Sequence, residues 1–146
     1  MDAVVFQREQ PVRFGHCDPA GIVYYPRYFE MLNELIEDWF AQALGLPFAV
    51  LIAQRGAGMP TAQLDTRFLR VSRHGDVLQQ RIHIERLGGS SIQLRIVFVG
   101  DDGPRVEFRQ VLVCTSLATH QPQALPDDLR AALQRSLATQ PETATP

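Results

Sequence analysis

The chain has 146 residues, 45% of them hydrophobic, a formal net charge of −2 and a pI near 6.0. This suits one domain with an ordinary core and argues against a general nucleic-acid binder. All fourteen basic residues are Arg, which excludes a lysine Schiff base, and two cysteines, Cys17 and Cys114, make neither a disulfide framework nor a zinc site.

Val4, Val5 and Phe6 begin an apolar stretch that resumes at Val12 and Phe14; Pro11 interrupts it, so an edge strand or a broken strand is predicted. A glycine-bearing loop follows, from Gly15 to Tyr25. Pro26 then opens a helix of about five turns that closes at Gly45, with Pro47 just beyond. Leu32, Leu35, Ile36, Trp39, Phe40, Ala43 and Leu44 form its apolar stripe. Glu30, Asn33, Glu34, Glu37, Asp38 and Gln42 occupy the other side. Those acids rule the helix out as a membrane span, and no secretory pattern opens the chain, so a cytoplasmic protein without a membrane partner is expected.

Residues 45 to 60 read as a connecting loop with about one helical turn. From residue 61 the period becomes two. Leu64, Thr66 and Phe68 give a second strand, Leu78, Ile82 and Ile84 a third, and Ile92, Leu94, Ile96 and Phe98 a fourth; Val106, Phe108, Leu112 and Cys114 share one face of a fifth, beginning about Arg105. Gly88 to Ser91 and Asp101 to Pro104 are the turns. Each strand has one apolar face, so an antiparallel meander covered on one side by the long helix is expected, an α+β fold. Residues 127 to 137 form a short amphipathic helix, and residues 139 to 146 read as a disordered tail after one domain, 1 to 138.

The chemistry concentrates at the loop. A helix start presents unpaired N–H groups and a partial positive charge, which attract an anion or a carbonyl oxygen that becomes one. Asp18 stands a few residues upstream, so a base or nucleophile lies beside an oxyanion site, the pairing acyl transfer needs. Read alone, Asp18 before Pro19 is also ordinary turn chemistry. Cys17 is either a thiol nucleophile or, with no separate base in a motif, a buried structural residue. His16 either orients Asp18 or is an exposed loop residue. Glu34 and Glu37 read as a solvated or interfacial face and Asp65 as an outward strand carboxylate. No His, Cys or acidic spacing fits a metal site, so no metal and no cofactor are expected.

The run Phe14-Gly15-His16-Cys17-Asp18-Pro19-Ala20-Gly21-Ile22-Val23-Tyr24-Tyr25-Pro26 resembles the signature of the 4-hydroxybenzoyl-CoA thioesterase family, hotdog-fold acyl-CoA thioesterases related to the YbgC-like proteins. The likeness continues through Gly45-Leu46-Pro47, Arg55-Gly56, Gly58-Met59-Pro60 and Phe68, and fades after about residue 85. The resemblance implies a sheet of about five strands wrapped around one central helix. It also implies hydrolysis of an acyl-CoA thioester, with Asp18 as nucleophile or general base and the Tyr25 N–H polarising the carbonyl. Gly21, Tyr24, Asn33, Met59, Thr61, Arg70, Arg86 and Ser91 would bind substrate. In that family two helices lie side by side in a dimer with one continuous sheet, active sites sit at the subunit interface, and dimers pair into tetramers; a homodimer or homotetramer is implied here.

Three positions depart from the hydroxybenzoyl enzymes of that family. Met59 stands for a threonine, Asn33 for an aspartate near the acyl end, and Gly88-Gly89-Ser90 for a basic cluster. The Arg86 to Ser91 pattern is similar to the broader acyl-CoA branch, and phosphate contacts would fall to Arg70, Arg73 or Arg86. The signature implies an aromatic acyl group, while the Arg86 to Ser91 pattern allows a short aliphatic one. The alternatives are a short aliphatic acyl-CoA, a carrier-protein thioester, a dehydratase of the same fold, or a module that binds acyl-CoA without turnover.

Overall fold

The computed structural model describes residues 3–138; the predicted tail at 139–146 lies outside the described residues. An edge strand β1 (Val4–Pro11) leads through a 3-10 turn at Phe14–His16 to helix α1 (Pro26–Asp38). Pro26 occupies the first helical turn, where its missing N–H costs nothing. The expected five turns are helical throughout, but the last part, Trp39–Ala43, widens into a π turn. There Leu44 N–H reaches back to the Trp39 carbonyl, and the extra residue lets Trp39 and Phe40 both turn inward, their rings 5.6 Å apart. Gly45 ends the helix at φ +69°, a conformation that favours glycine.

The loop predicted for residues 45 to 60 contains helix α2 (Phe48–Ala53) and strand β2 (Ala57–Gly58). Strands β3 (Thr61–Phe68), β4 (Val77–Leu87), β5 (Ser91–Gly100) and β6 (Gly103–Val113) follow, then β7 (Thr115–Ser116) and helix α3 (Asp127–Ala138). The main sheet has the order β1-β4-β5-β6-β3, entirely antiparallel. Only β4, β5 and β6 form the expected meander. The segment 69–76 carries the chain from the β3 edge past the β5–β6 turn to β4, beside β1. The small ribbon β2–β7, unforeseen in the sequence, fastens the α2 connection to the end of β6.

The even-numbered residues of β4, β5 and β6 face α1. Leu78, Ile82, Ile84, Ile92, Leu94, Ile96, Phe98, Val106, Phe108 and Leu112 are buried there against Tyr28, Met31, Leu32, Leu35 and Ile36. Full burial of each such side chain contributes about 1.5–3 kcal/mol. Two expectations fail. Val12 and Phe14 do not resume β1, because Val12 is held in a loop by its N–H to the Asp76 carbonyl and Phe14 starts the 3-10 turn, 78% exposed. Strand β3 has no fully buried residue in one chain: Leu64 and Phe68 point to the helix side of the sheet at its open edge and stay 36% and 51% exposed, although Phe68 meets the rings of Tyr25, Tyr28 and Phe29.

Candidate active site

Residues 17 to 23 close on themselves as a miniature hairpin. Cys17 bridges Val23, Asp18 N–H donates to the Ile22 carbonyl and Gly21 N–H to the Asp18 carbonyl, a turn that needs Gly21 at φ +82°. Within it the Asp18 carboxylate is braced through one oxygen: Ala20 N–H donates to Oδ1 at 2.9 Å. Oδ2 has no partner among the described residues. His16 does not touch this carboxylate; its Nδ1 accepts the Arg13 N–H at 2.9 Å and its carbonyl accepts the Tyr24 N–H. Burial, then the neighbouring Arg27, holds the imidazole below its ordinary pKa of 6.5, which agrees with an unprotonated Nδ1.

The hairpin delivers the chain into α1. Tyr24 N–H is taken by His16, Arg27 N–H by the Tyr24 carbonyl and Tyr28 N–H by the Tyr25 carbonyl, and Pro26 has none. Among the described residues, the Tyr25 N–H meets no acceptor. It is therefore a free backbone donor at the positive end of the helix. Val23 N–H donates to the Ser72 carbonyl and Ile22 bridges Arg73, so the loop hangs on the segment 69–76.

The expected site residues fall into separate places. Asp18 and Gly21 line a cavity of about 550 Å³ with Phe14, Cys17, Pro19 and His74. Tyr25 and Arg70 line a second, about 240 Å³ and mostly apolar, with Ile22, Val23, Tyr28, Phe68, Leu69 and Val71. Tyr24 stacks edge-on against Tyr25, which meets Phe68 in turn. Asn33, Met59 and Thr61 line a third pocket of about 140 Å³ with Glu37, Phe48 and Gln110. Thr61 is at the far end of β3 from Phe68, eight residues in all, roughly 23 Å at ~3.3 Å per residue. Arg86 and Ser91 lie at that same far end, across β4 and β5, roughly 30 Å from the Asp18 end by the same rise. One chain thus separates Asp18 from the residues expected to hold the distal acyl group.

Arg70 donates through Nη1 to the Asp102 carbonyl. Cys17 is half-buried against the core, its Sγ 3.7 Å from the Arg13 carbonyl. Glu34 lies 3.7 Å from Arg8, and Asp65 accepts from Gln63 on the outer face of the sheet. Among the described residues, no group of three or more His, Cys, Asp or Glu side chains is placed to hold a metal, and no helix is long and apolar enough to cross a membrane.

Sequence reasoning missed three residues near these pockets. Gln110 occupies a position on the buried face of β6 between Phe108 and Leu112, and a polar residue in that alternation was a visible signal. Ser72 and Arg105, both buried, had none: an Arg at the start of a strand after a turn reads as surface.

A sequence profile of the thioesterase-like superfamily matches residues 12–133. A 1,4-dihydroxy-2-naphthoyl-CoA hydrolase from Thermosynechococcus vestitus is 32% identical over 127 residues, 86% of this chain and 86% of its own length. The 4-hydroxybenzoyl-CoA thioesterase of a Pseudomonas species is 32% identical over 71 residues, 48% of this chain and 50% of that enzyme. Among solved structures, a 1,4-dihydroxy-2-naphthoyl-CoA thioesterase from Synechocystis superposes with a TM-score of 0.81 at 20% identity, covering 88% of this chain and 95% of that one. A Staphylococcus aureus protein solved in complex with CoA gives 0.83 at 17% identity, covering 100% and 92%. At these identities the superpositions establish the fold, and the profile with the hydrolase relative establishes the family: the chain belongs to the thioesterase-like superfamily and is a hotdog-fold thioesterase.

Proposed function

We propose that the protein hydrolyses the thioester bond of an aromatic acyl-CoA, with Asp18 as nucleophile or general base and the Tyr25 N–H as oxyanion donor. The observations that carry this reading are a carboxylate braced through one oxygen in the hairpin that leads into α1 and, at the start of that helix, a backbone donor that meets no acceptor among the described residues. As nucleophile, Asp18 adds to the thioester carbon, the C–S bond breaks, CoA thiolate leaves and is protonated, and water hydrolyses the mixed anhydride. As general base, it takes a proton from water as the oxygen adds; the tetrahedral oxyanion, held by Tyr25, collapses and the thiolate leaves with a proton. Either route consumes one water and yields the acid and free CoA.

Support for an aromatic acyl group comes from the apolar cavity beside Tyr25, walled by Tyr28, Phe68 and Leu69, and from relatives whose names specify hydroxylated aryl-CoA substrates. The complete site is assigned to a homodimer joined through the open edge of β3. Antiparallel two-fold pairing of that strand with its copy reverses its direction, so the Phe68 end of one protomer meets the Thr61 end of the other. Asp18, Gly21, Tyr24, Tyr25 and Arg70 would then face the partner's Asn33, Met59 and Thr61, with the partner's Arg86 and Ser91 at the same end of the joined sheet.

The test is free-thiol release from benzoyl-, hydroxybenzoyl-, dihydroxynaphthoyl-, acetyl-, butyryl- and longer-chain CoA, with the oligomeric state measured alongside. Preference for an aryl thioester by a dimer or tetramer supports the reading. Preference for aliphatic chains removes the aromatic assignment, and CoA binding without turnover of any thioester removes the catalytic one.

A further inference from the structure

We propose that Arg105 is a positioning residue for this reaction: through Ser72 its buried guanidinium locks the Asp18 loop and the first turn of α1 into one rigid unit. The inference rests on the roles given above to Asp18 and Tyr25.

Arg105 is 4% exposed at the start of β6. Its Nε donates to Asp102 Oδ1 at 2.6 Å and Nη2 to Asp101 Oδ1 at 3.1 Å, both on the β5–β6 turn. Nη1 is aimed the other way, into the segment 69–76. It donates to Asp76 Oδ2 at 2.8 Å, to Ser72 Oγ at 3.1 Å and to the Val71 carbonyl at 3.1 Å. The Arg105 carbonyl accepts the N–H groups of Leu69 and Arg70. One residue therefore fixes a crossing segment that has no strand or helix of its own.

Ser72 passes that order on in two directions. Its carbonyl accepts the Val23 N–H at 2.9 Å, beside the Ile22–Arg73 bridge, which places the Asp18 hairpin. Its hydroxyl acts on the Tyr28 hydroxyl on the first turn of α1, opposing the burial that pushes this phenol up, and that turn presents the Tyr25 N–H. Acid and oxyanion donor thus share one anchor, and a displacement of either by a fraction of an ångström is costly in rate.

The surroundings are shaped for this guanidinium. A Cβ at Gly100 would lie 2.4 Å from Arg105 Cζ, so the turn admits the fork only because residue 100 is glycine. A buried ion pair is seldom the most stabilising way to fill a space, since apolar residues of like volume often do as well. What the planar fork adds is direction: three nitrogens address the turn and the crossing segment simultaneously, which a Lys ammonium cannot do.

Ser72→Ala and Arg105→Lys test the inference, each made alone and with Asp18→Asn, with kcat, KM and thermal unfolding measured. Ser72→Ala keeps the ion pairs of Arg105 and should leave Tm within a few degrees of the parent, so it carries the test if Arg105→Lys fails to fold. Each substitution is expected to lower kcat about 10- to 100-fold with KM changed less than about threefold, and to have less than about a twofold effect once Asp18 is Asn, because residues acting through one group are not additive. A second readout needs no substrate: amide exchange at Val23 should quicken at least tenfold in both variants while the β4–β5 core amides keep their rates. Unchanged exchange at Val23, unchanged kcat, or an equal loss with and without the Asp18 carboxylate overturns the proposal. If Asp18→Asn alone retains the parental rate, the assignment of the acid fails and this proposal fails with it. If Asp18→Asn is inactive and Ser72→Ala is silent, only this proposal fails.

Discussion

Gln110 Nε2 donates to Thr61 Oγ1 at 2.9 Å, tying the start of the edge strand β3 to the buried face of β6. The other end of the same amide, Oε1, is buried without a hydrogen-bond partner among the described residues. An unpaired buried acceptor costs about 1–3 kcal/mol, while a neutral hydrogen bond returns about 0.5–1.5 kcal/mol, so the polar side chain is retained at a net loss of stability. Gln110→Leu, close in volume, is expected to unfold at a denaturant midpoint equal to or above that of the parent. A loss of more than about 1 kcal/mol in that variant would mean that Oε1 is satisfied, for instance by ordered water.

Asp18→Asn isolates the charge from the geometry. The amide oxygen can still accept the Ala20 N–H that the Oδ1 atom accepts now, so the hairpin should persist and the thermal midpoint should barely move. Loss of general-base or nucleophilic chemistry is expected to lower kcat by roughly 10²- to 10⁴-fold. A folded variant with less than about a tenfold loss would remove Asp18 from the mechanism.

The Asp18 loop and α1 were legible in the sequence because each rests on local rules: Pro26 and Gly45 bound the helix, Gly21 permits the turn, and the apolar stripe declares the buried face. The alternation of β4, β5 and β6 was legible for the same reason. Strand β3 misled, since Leu64, Thr66 and Phe68 alternate correctly yet lie at an edge that one chain leaves open. Strand order was also hidden, because the crossing of segment 69–76 past the β5–β6 turn depends on long-range packing. Arg105 was invisible for a related reason: its partners Ser72 and Asp76 are about thirty residues away, and no periodicity couples such positions.

Two glycines of the site should fail for different reasons. Gly21 has φ +82° with open space where a Cβ would project, so Gly21→Ala suffers backbone strain alone, about 1–2 kcal/mol. A Cβ at Gly100 would lie 2.4 Å from Arg105 Cζ, so the guanidinium would have to shift away from its bonds to Asp102 and Asp76. Gly100→Ala is therefore expected to cost more stability than Gly21→Ala, while Gly89→Ala, with nothing within 4 Å, stays within about 0.5 kcal/mol of the parent. Chemical unfolding of the three variants checks the order, and a Gly100→Ala protein as stable as the parent would show that the guanidinium moves aside freely.

Stability should fall in two acid windows. His16 is held below 6.5 by its burial and then by Arg27, so the unfolded chain takes up that proton more readily and stability declines as pH falls through 6.5. Asp76 is held below 3.8 first by the Arg73 N–H and then by Arg105, and Asp102 below 3.8 by Arg105. The folded state resists protonation of both, so what they contribute above 3.8 is lost as pH falls through and below that value. Denaturant midpoints from pH 7 to 3 should show a shallow step and then a steep one. Arg105→Gln should shrink the lower step chiefly through Asp102, because Asp76 keeps the Arg73 N–H. A carboxyl titration by NMR checks the cause directly: an Asp102 midpoint at or above 3.8 in the parent would show that Arg105 does not hold that carboxylate ionised.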